Sequence, residues 1–271
     1  MNCPGLLRVN LIGGFGNQLF QIANAVNLSF TYDLPIYFST KAESRNKFLK
    51  QIFGFEYNTQ YIYSDSNLVK VSQQTHSNCK FDFFSEKGTT YCPINLKSRH
   101  TEMRGYFQSV QYFEKVKYFM RQKLQNLTSN SNNLGHPGIH IRLGDYLHRS
   151  NRNIYHLQSP YYFLHGLDLL RRNIGFTNTK LSVFTNDLKS YNLIYSKHLE
   201  NYDVELIIEN SCTTFKMMLE IKNFVISNST FSWWAAWANM SNTVAPLKWY
   251  TNKSRLEYDE KNFSFENWDR I

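Results

Sequence analysis

The chain has 271 residues, enough for one large or two medium-sized domains with a buried core. Hydrophobic residues make up 42% and charged residues 19%, and no run approaches the ~18 consecutive apolar residues of a membrane-spanning helix, so the composition is that of a globular protein. The net charge of +9 favours nucleic acid, an anionic membrane surface or an anionic small molecule such as a nucleotide as partner, but the basic residues are dispersed, which disfavours nucleic acid.

The first 40 residues follow the pattern of a strand, a glycine-rich turn, a helix and a second strand. Apolar and polar residues alternate over 7–11, and "GGFGNQ" at 13–18 ends the run. From Asn17 apolar residues recur every three or four positions, which predicts a helix, and "LPIYF" at 34–38 predicts the next strand. These elements open a βαβ unit.

The N-terminus reads straight into that strand and lacks the cationic and apolar regions of a signal peptide. We therefore expect a cytoplasmic protein, whose positive charge is compatible with peripheral contact with the anionic inner face of a membrane.

The middle of the chain predicts a domain boundary. Residues 39–105 show no clean period, and we expect irregular α/β structure there. Helical spacing over 111–127 leads into residues 128–138, where Asn, Ser, Gly and Pro crowd together. We therefore assign residues 1–130 to an N-terminal α/β domain and residues 131–271 to a C-terminal Rossmann-like domain.

In the second half of the chain, predicted strands and helices alternate. This alternation predicts an α/β fold with a parallel sheet that is covered on both faces. The predicted strands are 138–142, 181–185, 204–208, 224–227 and 243–246, and the predicted helices are 160–173, 188–199, 214–223 and 231–239.

The four cysteines, Cys3, Cys79, Cys92 and Cys212, form no C-x-x-C pair and have no histidine at metal-binding spacing. We interpret them as buried free thiols and expect neither a disulfide framework nor a zinc site.

Small and polar residues follow four of the predicted strands. Ligands bind beyond the carboxyl ends of the strands in open parallel sheets, so these segments indicate a site. The segments are "GGFGNQ" at 13–18, Arg142 with Gly144 and Asp145, Asn186 with Asp187, and "NSTFS" at 228–232.

For most of these segments a structural role competes with ligand binding. A glycine-rich turn alone is a weak signal; Leu19 breaks the dinucleotide-binding pattern, and the lysine of a phosphate-binding P-loop is missing. Arg142 could form a structural ion pair with Asp145 or hold a phosphate with two hydrogen bonds. His140 could be a buried core histidine, and Asp187 could cap a helix or accept two hydrogen bonds from guanine.

The segment "SNSTFSWWAAWAN" at 227–239 combines a hydroxyl-rich helix start with three tryptophans. A helix N-terminus presents N–H groups and a positive dipole end, and it suits a pyrophosphate. We expect Ser229, Thr230 and Ser232 to face a ligand, and the indoles at 233, 234 and 237 to pack against the sheet.

Five ordered segments resemble the motif blocks of the bacterial α-1,2-fucosyltransferases: "GGFGNQLFQIANA", "GYFQSVQYF", "HIRLGDY", "NSTFSWWAAW" and "VAPLKWY". The resemblance implies a GT-B-like fold with two facing Rossmann-like domains. It implies inverting, metal-independent transfer of L-fucose from GDP-β-L-fucose to the 2-hydroxyl of an oligosaccharide or glycolipid-linked galactoside, with no nucleic-acid partner and no cofactor.

The resemblance also assigns roles to individual residues. Arg142 corresponds to the pyrophosphate-binding arginine, with His140 beside the nucleotide, and Asp187 to the guanine-reading carboxylate. The phosphate cradle comprises Ser229, Thr230, Phe231 and Ser232, and the glycine-rich loop adds Gly14, Gly16 and Asn17, with Asn17 directed at the diphosphate or the fucose. Asp145, His140 and His148 remain alternative general bases.

The chain departs from the family pattern at a few positions. Leu143 replaces the second arginine of the H-x-R-R-G-D block, Lys222–Asn223–Phe224 replaces a common K-H-N, and Ala235 replaces a common glycine. Two alternatives stay open: a transferase for another GDP-sugar or acceptor position, and a non-enzymatic protein that binds polysaccharide or nucleic acid.

Overall fold

The computed structural model describes residues 5–40, 47–71, 79–88, 90–128, 135–177, 179–251, 263 and 268–271. The chain divides into two compact units, Met1–Leu124 and Gln125–Ile271. The sequence-based boundary, after residue 130, lies outside the described residues.

The first unit contains a six-stranded sheet in the order β4-β3-β2-β1-β6-β5. Strand β1 pairs in parallel with both β2 and β6, which confirms the predicted βαβ unit. The antiparallel strands β3 and β4 form one edge of the sheet. The strands are β1 Leu6–Asn10, β2 Ile36–Ser39, β3 Gln60–Ser64, β4 Asn67–Lys70, β5 Asp82–Ser85 and β6 His100–Arg104, and the helices are α1 Phe15–Tyr32, α2 Lys47–Phe53 and α3 Lys117–Gln125.

Helix α1 carries the predicted apolar face. Its residues Leu19, Ile22, Ala23 and Val26 are all completely buried. The helix begins after Gly14 and ends at Asp33, which adopts a left-handed conformation with φ of 51°.

The predicted helix over 111–127 is wrong in its first half. Residues Val110–Val116 form a 3-10 helix, and α3 begins only at Lys117. Phe113 has non-helical torsions, φ −137° and ψ 24°, and its side chain is fully buried. Packing of this ring therefore overrides the helical spacing of the local sequence.

The second unit contains a six-stranded sheet in the order β12-β11-β10-β7-β8-β9, in which every neighbouring pair is parallel. This confirms the α/β fold class and the regular parallel sheet in the C-terminal half. The strands are β7 Gly138–Ile141, β8 Lys180–Thr185, β9 Asp203–Ile207, β10 Asn223–Val225, β11 Asn242–Ala245 and β12 Trp268–Arg270, and the helices are α4 Pro160–Ile174, α5 Leu188–Ile194, α6 Ser211–Met218 and α7 Thr230–Asn239.

The tryptophans of α7 lie in the core, as the sequence predicts. Trp233 and Trp234 are fully buried, Trp237 is 3% exposed, and the rings pack against one another at centroid distances of 5.2–6.1 Å. Burial of such large apolar surfaces anchors the helix, and it fixes where the helix N-terminus points.

The interpretation of the cysteines as buried free thiols is wrong. Cys92 is an exposed free thiol and Cys212 is a partly exposed one. Cys79 takes part in a disulfide bond. The sequence contains no C-x-x-C pair to signal this pairing, because a disulfide depends on spatial proximity rather than on spacing along the chain. Cys3 lies outside the described residues.

Candidate functional site

In the second unit, three neighbouring strand ends bring the predicted polar segments together. Strand β7 lies between β8 and β10, and all three run in the same direction. The segments that follow them, 142–145, 186–187 and 226–229, therefore lie at one edge of the sheet. This edge has the position expected for a ligand site in an open parallel sheet.

A buried hydrogen bond joins the ends of β7 and β10. His140 Nδ1 lies 3.1 Å from Ser227 Oγ, and both residues are buried. Burial, with a smaller contribution from the Arg142 charge, lowers the pKa of His140 to about 3. The imidazole is therefore neutral near pH 7, and it is a poor proton acceptor for catalysis.

Arg142 follows β7 and lies partly exposed at the sheet edge. Its Nη2 is 2.7 Å from Asp145 Oδ1, and its guanidinium lies 5.6 Å from the centre of the Tyr146 ring. The aspartate orients the guanidinium but leaves further N–H donors for a ligand, since arginine carries five. The structure thus shows the ion pair of Arg142 with Asp145, the first of the two roles considered from the sequence.

The residue after Arg142 points into the core. Leu143 is fully buried within the apolar cluster of the second unit. Its backbone N–H donates to Asn186 Oδ1 at 2.8 Å, which ties the end of β7 to the end of β8. The position where the family carries a second arginine is therefore a core position in this chain.

Gly144 lies next to the Asn186 side chain that connects the ends of β7 and β8. Its φ is +55°, and a Cβ atom there would lie only 2.5 Å from Asn186 Nδ2. The left-handed torsion favours glycine, and a larger residue would displace the Asn186 amide from its contact with the Leu143 backbone. The turn places Asp145 against Arg142. His148, another of the alternative general bases, is exposed.

Tyr146 belongs to the site although sequence reasoning did not single it out, and its hydroxyl contacts Asn228, the first residue of the predicted "NSTFS" segment. The buried Tyr146 hydroxyl donates to the backbone oxygen of Asn228 at 2.7 Å. The Asn228 amide in turn donates to the backbone oxygens of His156 at 2.9 Å and Trp249 at 2.7 Å. These bonds fix the loop before α7.

Helix α7 begins at this edge. Ser229 is its N-cap residue, but the Ser229 side chain makes no capping hydrogen bond. Ser232 Oγ donates to the Ser229 backbone oxygen at 3.3 Å. Thr230 and Phe231 are half-buried, and the Phe231 ring lies 6.2 Å from the His140 ring. A helix N-terminus in this setting suits an anion.

Asp187 caps the helix that follows β8. Its Oδ1 accepts from the Ser190 N–H at 3.1 Å and its Oδ2 accepts from Ser190 Oγ at 2.7 Å. These two bonds lower the pKa of the carboxyl group. The structure thus shows the capping role, and each carboxylate oxygen retains a lone pair for a ligand.

In the first unit, the glycine-rich loop follows β1. Gly14 is exposed and precedes α1, whereas Gly16 is buried in the first helical turn. Asn17 Oδ1 accepts a hydrogen bond from Gln108 Nε2 at 2.8 Å, which joins this loop to the segment after β6.

Glu86, which follows β5 in the first unit, is a further residue that sequence reasoning missed. Its Oε2 accepts from the N–H groups of Tyr106 at 2.8 Å and Phe107 at 2.9 Å. Burial raises the pKa of this carboxyl group against the opposing effect of the two backbone bonds. Glu86 therefore holds the segment that carries Gln108.

Within the described ranges, no three His, Cys, Asp or Glu side chains converge to hold a metal ion. No helix of that part of the chain has the length and apolar character needed to cross a bilayer.

Comparison with known proteins identifies the relatives of this chain. The model of the family described as glycosyl transferase family 11 matches residues 3–271. An alpha-1,2-colitosyltransferase of Escherichia coli is 26% identical over 293 residues, covering 96% of this chain and 97% of the relative. The O-antigen biosynthesis glycosyltransferase WbnK of Escherichia coli is 30% identical over 132 residues, covering 45% of this chain and 42% of the relative.

Among solved structures, the E. coli heptosyltransferase WaaC with ADP superimposes with a TM-score of 0.52 at 8% identity, covering 98% of this chain and 92% of that chain. This likeness concerns the fold alone, and it confirms the predicted GT-B-like fold class.

Proposed function

Because the chain belongs to glycosyl transferase family 11, we propose that this glycosyltransferase moves L-fucose from GDP-β-L-fucose to the 2-hydroxyl of a galactoside, with inversion at the anomeric carbon. The proposed acceptor is an oligosaccharide or a glycolipid-linked galactoside. No metal takes part in the proposed reaction.

The observation that carries the proposal is the pairing of an oriented arginine with a helix N-terminus. Arg142 follows β7, and α7 begins after the neighbouring strand β10. The His140–Ser227 hydrogen bond at 3.1 Å joins these two strand ends. A diphosphate at this edge would meet a guanidinium and the positive end of the α7 dipole.

These groups suit the electrostatics of the reaction. When the bond from fucose to the β-phosphate breaks, negative charge grows on the departing GDP. An oriented donor in a water-poor site stabilises such charge, and one such contact typically lowers the barrier by about 3–4 kcal/mol. Arg142 is held by Asp145 before the ligand arrives, so little reorganisation accompanies the reaction.

The guanine base is assigned to Asp187, which follows β8 at the same sheet edge. Guanine presents N1–H and N2–H₂ donors side by side, and one carboxylate can accept from both. The lowered pKa of Asp187 keeps it ionised for this contact. The acceptor hydroxyl would give its proton to Asp145 or His148 or, in a dissociative transition state, to solvent. The low pKa of His140 argues against this residue as the general base.

The relative's name favours a second candidate for the donor. The alpha-1,2-colitosyltransferase matches this chain over nearly its full length. Colitose is fucose without the 3-hydroxyl group, so the two donors carry the same GDP group. Each can transfer its sugar to the 2-hydroxyl of the acceptor in the same way. A GDP-colitose donor would use the same Arg142 and α7 contacts, and only the sugar pocket would differ.

The experiment compares donors and determines the linkage. The purified protein is incubated with GDP-fucose, GDP-colitose or GDP-mannose and a panel of galactosides, and the product linkage is determined by NMR. Transfer of fucose to O2 of galactose supports the proposal, and faster transfer of colitose selects the second candidate. Transfer only from GDP-mannose, attachment at another hydroxyl, or no transfer from any GDP-sugar would contradict it.

A further inference from the structure

A cavity of about 250 Å³ lies in the first unit, away from the glycine-rich loop. It lies between the C-terminal half of α1, residues 91–94 and the 3-10 helix Val110–Val116. Asn24, which lines it, comes seven residues after Asn17 on the same helix. That spacing corresponds to about 10 Å along the helix axis, so the cavity is separate from the loop.

The side chain of Asn24 indicates that the cavity takes a polar ligand. Asn24 is only 1% exposed. Among the residues that the structure describes, neither its Oδ1 nor its Nδ2 has a hydrogen-bond partner. A buried amide without partners is costly, and native proteins rarely keep one unless something else satisfies it. Asn24 thus brings one acceptor and two donors without partners to the lining of the cavity.

The other lining residues supply aromatic surface and hydroxyl groups. The Tyr91 and Tyr112 rings meet edge to face with centroids 4.8 Å apart. Tyr32 contributes a third phenol, whose hydroxyl donates to the Ile94 backbone oxygen at 3.0 Å. Burial raises the pKa of Tyr112 to about 12, so this ring is uncharged. Aromatic faces can contact the C–H groups of a ligand, and the neighbouring amide and hydroxyl groups can form hydrogen bonds with its O–H groups.

The charge of the cavity favours a neutral ligand. Glu114 and Lys115 both line it, so the formal charges of the lining cancel. Glu114 is also paired with Lys117, and the Lys115 ammonium donates to Thr31 Oγ1 at 3.2 Å. A phosphate or carboxylate ligand would meet a carboxylate beside the lysine, which disfavours an anion.

We propose that this cavity, the α1 pocket, binds one neutral pyranose ring of the acceptor glycan, remote from the sugar that is modified. Its volume of about 250 Å³ lies just below the ~300 Å³ at which pockets for drug-sized ligands begin, so it suits a single ring rather than a chain. The assignment of the ring to the acceptor rests on the proposed function, whereas the binding of a neutral sugar rests on the pocket alone.

Direct binding tests the α1 pocket without relying on activity. Saturation-transfer NMR and calorimetry are performed with methyl galactoside, methyl glucoside and methyl N-acetylglucosaminide, with inorganic phosphate as the anionic comparison. Asn24→Leu removes the amide at similar volume, and Tyr91→Ala removes an aromatic wall. Tyr118→Ala is the control, because Tyr118 is 72% exposed and does not line the pocket.

We expect at least one neutral sugar to bind, and both pocket variants to weaken that binding at least tenfold while the control does not change it. Asn24→Leu should keep or raise the melting temperature, since it removes an unpartnered buried amide. In transfer assays the pocket variants should raise KM for an oligosaccharide acceptor, and leave both kcat and transfer to a simple methyl galactoside unchanged.

The outcomes separate this inference from the proposed function. Sugar binding that depends on Asn24, in a protein that transfers nothing from GDP-sugars, would preserve the pocket and overturn the proposed function. Active transfer without Asn24-dependent sugar binding would overturn the pocket. Phosphate binding that depends on Asn24, or a crystal structure with only ordered water on the amide in the presence of sugar, would also overturn it.

Discussion

The imidazole of His140 and the hydroxyl of Ser227 lie 3.1 Å apart and connect the ends of two neighbouring parallel strands. This contact links the strand that leads to Arg142 with the segment that leads to α7, next to the backbone pairing of β7 and β10. It also requires a neutral histidine, since the ring is 3% exposed and a charge there would be poorly solvated.

The first prediction concerns the pH dependence of stability. The pKa of His140 is about 3 in the folded protein and about 6.5 in an unfolded chain. Between these values the unfolded state binds more protons, so the free energy of unfolding falls as the pH drops below about 6.5, by up to about 1.4 kcal/mol per pH unit. Urea unfolding at pH 7, 6 and 5 measures the slope.

His140→Gln provides the comparison, because glutamine can still bond Ser227 but does not titrate. The variant should show a shallower dependence over the same interval, with other titrating carboxylates contributing equally to both proteins. Equal slopes for the two proteins would mean that His140 binds protons to the same extent in the folded and the unfolded state, so that folding does not lower its pKa.

The second prediction concerns Arg142. Arg142→Lys keeps the charge but replaces the planar fork with a single ammonium group. We expect kcat to fall at least about tenfold, which corresponds to ~1.4 kcal/mol of lost transition-state stabilisation, with little change in melting temperature because Arg142 is partly exposed. Arg149→Lys is the matched control, since Arg149 is exposed in the following loop. Normal turnover in a folded Arg142→Lys protein would exclude the phosphate role.

The elements of the candidate site in the second unit were predictable from sequence because their signals are local. Alternation of buried strands and amphipathic helices gave the parallel sheet, and the rule for strand ends selected Arg142, Asp187 and Ser229. Their proximity follows from strand order, in which β7 lies between β8 and β10.

The contacts that sequence reasoning missed depend on residues far apart in the chain. Tyr146 and Asn228 are 82 positions apart, and Glu86 and Phe107 are 21 apart. The torsion of Phe113 and the disulfide of Cys79 likewise depend on tertiary packing. No local period encodes such contacts, so only the folded chain reveals them.

The third prediction tests the core position of Leu143. The family pattern suggests that Leu143→Arg would restore a missing arginine. The structure predicts the opposite, because Leu143 is fully buried in an apolar cluster. An unpaired buried charge should lower the free energy of unfolding by about 3 kcal/mol or more. Urea unfolding measures the loss, and Leu143→Met should cost less than about 1.5 kcal/mol. A stable and more active Leu143→Arg protein would contradict this prediction.

The fourth prediction concerns metal ions. The proposed reaction assigns neutralisation of the diphosphate to Arg142 and the start of α7 rather than to a bound cation. Excess EDTA should therefore leave the initial rate of transfer unchanged. Loss of activity that Mg²⁺ or Mn²⁺ restores would show that a metal carries part of this charge.

The last prediction separates the two roles of Asp187, helix capping and guanine binding. Asp187→Asn keeps a good N-cap residue, and its carbonyl can still accept from the Ser190 N–H that Asp187 binds at 3.1 Å. The amide group, however, presents a donor where guanine also presents one. Because hydrogen bonds to charged groups contribute roughly 1.5–3 kcal/mol, GDP affinity should fall by about one to two orders of magnitude, with the preference for GDP over ADP reduced.

Calorimetric titration of wild type and variant with GDP and with ADP measures both effects. Ser190→Ala is the matched control, because it removes the 2.7 Å bond to Asp187 Oδ2 and leaves the carboxylate in place. The control should lose some helix stability, as a weakened cap costs about 1 kcal/mol, but it should bind GDP as the wild type does. If Asp187→Asn binds GDP tightly and selectively, Asp187 serves only as a helix cap and the guanine base is bound by other residues.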